Sequence, residues 1–60
     1  MEEIIAIVTT SDNRDKVAGN VPIIFAEDQS ELEYVAMLIS RITVSMVHDL
    51  GNGVRLLVKH

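Results

Sequence analysis

The longest continuous pattern in the chain runs from Ser30 to Gly51, and it limits what the remaining residues can build. Leu32, Val35, Ala36, Ile39, Ile42, Met46, Val47 and Leu50 recur at helical spacing and share one face of an amphipathic helix. Ser30 offers an N-cap, and Glu33 three residues later completes the capping-box pattern that satisfies two orphan backbone donors. Glu27, Asp28, Glu31 and Glu33 crowd the entry, where the positive end of the helix dipole favours acids. Gly51 is placed to take the left-handed conformation that ends a helix, with His48 in the last turn. A helix of roughly twenty residues spans about 30 Å. The pattern is a scaffold signal and names no chemistry.

Around that helix there is little chain left. Sixty residues make a single domain, 1–60, which buries only about 60% of its unfolded surface and is marginal as a monomer. Chains this short usually recruit disulfides, a structural metal or a second copy. With no cysteine and only two histidines, the first two supports are missing, so no metal and no cofactor is expected and a homo-oligomer is.

Charge narrows the partners. Nine Asp and Glu against five Lys and Arg leave a net charge of −4, which repels phosphate backbones. One Tyr and one Phe provide no platform for stacked bases, so nucleic acid is not an expected partner. The apolar runs are far shorter than the ~20 residues that cross a bilayer, so no membrane is expected either. The acidic start is the opposite of a secretory leader, and a cytoplasmic protein is the expectation.

Three strands are expected beside the helix. Glu3 to Thr9 is a β-branched run that suits a central strand. Val21 to Ala26 is a second strand, and Pro22 either holds it to a sheet edge or lies at its start. Val54 to Lys59 is a third, entered through Gly51-Asn52-Gly53. The fold class is α+β in the order β-β-α-β: a three-stranded mixed sheet, strand order 2-1-3, with the helix on one face. The second and third strands are expected parallel to each other, and the first antiparallel to both. Val21, Ile23, Phe25, Val54, Leu56 and Val58 are expected to meet the helix, with Arg55 and Lys59 outward. The opposite face would then show Ile24, Leu57 and one alternating set from the first strand, either Ile5 with Ile7 or Ile4 with Ala6 and Val8. So wide an apolar band implies a cover. These residues form a candidate interface. Tyr34, Leu38 and Arg41 on the outer helix face form another.

Thr10 to Asn20 is the polar stretch of the chain. Ser11, Asp12, Arg14 and Lys16 are its candidate ligand-binding residues, a set able to hold a small anion. Their spacing matches no phosphate, dinucleotide or calcium motif. No serine is prepared as a nucleophile, and catalytic residues are not assigned. His48 at a helix end and His60 at the end of a strand are expected about 20 Å apart. The expected function is a small non-enzymatic self-associating module, accessory or regulatory. The alternative is a small-ligand or anion sensor at the Thr10–Asn20 loop near a subunit interface. An enzyme whose site is shared between subunits is a third possibility.

Overall fold

The computed structural model describes residues 3–60. Strand β1 (Glu3–Thr10) runs into a short 3-10 helix (Ser11–Lys16), then β2 (Ile23–Ala26), helix α1 (Gln29–Thr43), β3 (Met46–Asp49) and β4 (Val54–Lys59). The class is α+β with one α-helix and a mixed sheet, but the sheet has four strands in the order β2-β1-β4-β3. β1 pairs parallel with β2 and antiparallel with β4, and β3 pairs antiparallel with β4. The expected neighbours of β1 are therefore present. Two directions are corrected: β1 and β2 are parallel, and β2 and β4 run opposite ways.

The fourth strand comes from the end of the stretch expected to be helical. α1 stops at Thr43 because Val44 turns left-handed (φ 54°, ψ 52°), and the N–H groups of Val44 and Ser45 both reach the Ser40 carbonyl. Local hydroxyls support the exit. Thr43 Oγ1 donates to the Ile39 carbonyl at 2.6 Å and lies 2.7 Å from Ser45 Oγ. Beyond it, Met46 and Val47 pair with Val58 and Leu57 in an antiparallel hairpin. Gly51 and Gly53 both take positive φ in its turn, so Gly51 serves the hairpin and not the helix end.

The helix also begins earlier than expected. Asp28 is the N-cap, its Oδ1 accepting the Glu31 N–H at 2.8 Å, while Glu31 Oε1 accepts the Glu27 N–H at 3.1 Å. The reciprocal cap thus sits two residues before the Ser30–Glu33 pair, and Glu33 is released for another use.

The core lies between α1 and one face of the sheet. Leu32 and Ala36 pack with Ala6, Val8, Ala26 and Leu57, and Ile5, Ile24, Val35 and Ile39 flank them. Two strands therefore face the other way from the expectation. Leu57 is fully buried under the helix and Ile24 packs beside it, so neither belongs to an outer interface. Ile5 is likewise drawn to the core, at a register shift between Ile4 and Ala6 that leaves it as the extra residue against β4. Arg55 explains the inversion. It points inward with Leu57 and is 8% exposed, its charge met by Asp49 at 3.0 Å and Glu33 at 3.7 Å. A cation expected to face solvent is satisfied beneath the helix, so every side chain of β4 changes face. Ile42, expected in the buried stripe, is 80% exposed.

Candidate interaction surface

Among the described residues, the face of the sheet opposite α1 is covered at one end. There the 3-10 helix folds back over it and buries Asn13. Asn13 Nδ2 donates to Thr9 Oγ1 at 3.2 Å, Thr10 Oγ1 at 3.4 Å and the Asn52 carbonyl at 3.3 Å. Thr9 Oγ1 in turn donates to the Gly53 carbonyl at 2.9 Å. This buried network fastens the polar loop to the hairpin turn, and a Cβ on Gly53 would come within 3.1 Å of Asn13 Nδ2.

The four loop residues singled out from the sequence have different surroundings. Ser11 Oγ donates to the Ala26 carbonyl at 3.4 Å, and the Arg14 guanidinium stands over the Phe25 ring, 4.8 Å from its centroid. Asp12 and Lys16 are exposed. The Thr10 hydroxyl and the Asp12 backbone N–H hold the Asp12 carboxyl below its ordinary value of 3.8 against an opposing desolvation, with a lesser contribution from the Lys16 charge. Two of the four are thus engaged in holding the loop against β2.

Away from the 3-10 helix the face is open. Ile4, Leu56, Val58, His48 and Leu50, with Glu3, line a recess of about 410 Å³. Of the residues expected on this face, Ile7 is opposite Leu56 and shares it. Beside the recess runs β3, an edge strand in which all four residues are exposed. Met46 is 59% and Leu50 52% exposed. Met46–Asp49 is four residues long and ends in Asp49, and it carries no lysine, proline or bulge; its outer side faces no described strand.

A second apolar surface lies on α1. Tyr34, Leu38 and Ile42 follow one another at four-residue spacing and are all exposed, with Met37 and Arg41 alongside. Tyr34, Leu38 and Arg41 were singled out from the sequence, and the structure leaves all three on the outer side of the helix.

The two histidines meet, contrary to the expectation. His48 Nε2 and His60 Nε2 are 3.3 Å apart, with ring centroids at 5.5 Å. The separation inferred from the sequence placed His48 at the end of a helix; in β3 it is opposite Leu56, only four positions from His60. Among the described residues, no group of three or more His, Cys, Asp or Glu converges as a metal cage, and no helix is long and apolar enough to cross a membrane.

Comparison with known proteins adds a role to this geometry. Across residues 1–60 the sequence matches the family described as "Capping complex subunit for YIEGIA". The chain belongs to that family. It is also 40% identical, over 57 residues, to a Bacillus subtilis (strain 168) protein titled "Uncharacterized protein YpzH", covering 95% of this chain and 86% of that one. No solved structure matches. The family is one of small accessory subunits of a protein complex. Of the exposed elements on this side of the sheet, β3 is the one that sequence periodicity missed. Asn52-Gly53 beside a short alternating run is a hairpin signal that could have revealed it.

Proposed function

We propose that this chain is a non-catalytic subunit of a complex that caps a YIEGIA protein, and that it docks through the open sheet face and the β3 edge. The observation that carries this is the exposed edge strand β3 beside an apolar recess on the sheet face away from α1. Such an edge accepts a strand from a partner through main-chain hydrogen bonds, while Met46, Leu50 and Ile4 offer side-chain contacts that set which partner fits. Self-association belongs to the same proposal, with the Tyr34–Leu38–Ile42 stripe as the surface available to a second copy. The anion-sensor alternative draws less support, because Ser11 and Arg14 already hold the loop to Ala26 and Phe25.

The test is binding to the YIEGIA-family protein of the same organism, measured by biolayer interferometry. Met46→Lys and Leu50→Lys alter exposed side chains and should leave the circular dichroism unchanged while weakening binding at least tenfold. Leu38→Lys on the helix should leave that binding intact. Loss of binding in Leu38→Lys alone would move the docking site to α1 and overturn the assignment to the sheet.

A further inference from the structure

The geometry points to a divalent transition-metal site formed by His48 and His60, one that takes Zn²⁺, Ni²⁺ or Cu²⁺ and ties the end of β4 to the β3 edge. This inference is independent of the docking proposal. Its basis is the 3.3 Å between the two Nε2 atoms, which come from different strands. Two imidazoles on a tetrahedral ion at about 2.0–2.1 Å are separated by about 3.3 Å, the edge of that tetrahedron. The spacing between the donors is therefore already that of two metal ligands, and no backbone movement is needed to reach it.

Ring orientation is the remaining adjustment. The planes are tilted by 52° and the centroids lie 5.5 Å apart, so the two nitrogens face each other nearly in line, as in a hydrogen bond between neutral imidazoles. A metal requires both lone pairs to converge on one point to the side of that line. Both residues are exposed, and reaching that geometry turns each ring about its side-chain torsions. Imidazole suits the borderline ions named and is a poor ligand for Mg²⁺ or Ca²⁺, which prefer oxygen. Among the described residues His48 and His60 supply two ligands, and further donors complete the coordination. Because imidazole ligates only without its proton, acid competes with the metal.

The site has a consequence for the recess. His48 is part of its lining, so an ion bridging His48 to His60 stiffens one wall of the opening.

Isothermal titration of the untagged protein with ZnCl₂ and NiCl₂, against MgCl₂ as control, tests the proposal. Saturable binding of Zn²⁺ or Ni²⁺ is expected, reduced at least tenfold in both His48→Ala and His60→Ala. The metal should also raise the melting temperature of the wild type and leave those of the variants unmoved. Circular dichroism of each variant establishes that the fold is retained. Absence of binding by the wild type overturns the proposal. So does undiminished binding in either variant, or Mg²⁺ binding as tightly as Zn²⁺, which would place the ion on carboxylates.

Discussion

Leu57 and Ile42 exchange the roles that their positions in the sequence suggest. Leu57, expected at an outer interface, is wholly buried beneath α1, and Ile42, expected in the core, is mostly solvated. Leu57→Ala should cost about 2–5 kcal/mol, and Leu57→Lys should prevent folding and not merely assembly. Ile42→Ala should change the stability of the isolated chain by no more than about 0.5 kcal/mol. Urea unfolding of the three variants checks this, and equal losses in both alanine variants would contradict the burial. Val44 carries a different cost. A β-branched residue at φ 54° is strained by about 1–2 kcal/mol, and at 80% exposure its side chain contributes little packing in return. Val44→Gly should therefore raise stability by about 1 kcal/mol, seen as a higher melting temperature. Asp12 gives a pH signature. Its folded carboxyl titrates below the ordinary 3.8, so its contribution is present above that value and lost as pH falls through the lower folded one. An NMR titration should place its midpoint below 3.8, and Asp12→Asn should remove that part of the acid response.

At the level of elements, the helix is defined by its two ends. Asp28→Ala removes the side chain that accepts the Glu31 N–H and should cost about 1 kcal/mol. Ser30→Ala, which the sequence pattern marks as the cap, should cost no more than a few tenths, since Ser30 is exposed inside the first turn. Thermal melts of the pair distinguish the two capping schemes. Glu33, no longer part of the cap, joins Asp49 on Arg55, so one side chain links α1, β3 and β4. The carboxylates are largely exposed, and their pairing with Arg55 is screened by solvent. The function of Arg55 is as much positional as energetic: it commits its side of β4 to the helix and, by alternation, Leu56 and Val58 to the open face.

For the whole molecule, the relevant balance is between one helix and two sheet faces. α1 covers one face, the 3-10 helix covers an end of the other, and the recess beside β3 stays open. Covering a few hundred Å² of apolar surface at roughly 25 cal/mol per Å² contributes several kcal/mol, comparable to the stability of a small domain. If the chain associates with itself, its melting temperature rises with concentration. Light scattering after size exclusion should then report a particle heavier than 6.7 kDa. A melt that is independent of concentration, at the monomer mass, would remove self-association through the helix stripe and leave the docking of a protein partner on the sheet face standing.

What the sequence determined by itself was whatever depends on local composition. Apolar runs at Ile4–Val8, Ile23–Ala26 and Val54–Val58 made strands, the second beginning two residues later than its pattern suggests, and Leu32, Val35, Ala36 and Ile39 made the buried side of a helix. The placement of the first strand between the other two followed from its lack of any edge device. Of the candidate surface, Ile7 and the Tyr34–Leu38–Arg41 side of the helix were legible, while Met46, Leu50 and the His48–His60 contact were not. The reason is that Met46, Val47 and Leu50 fit a helical stripe while Met46 and Val47 also suit a strand, and periodicity cannot choose between the two in so short a segment. Pairing with β4 chose, and that pairing exists only once the chain has closed its hairpin. The same holds for the direction of β4. A lone arginine in a strand reads as a solvent-facing residue until two carboxylates, distant in sequence, are folded against it. Helix length, strand facing and the meeting of the histidines are all properties of contacts between segments, and tertiary structure alone decided them.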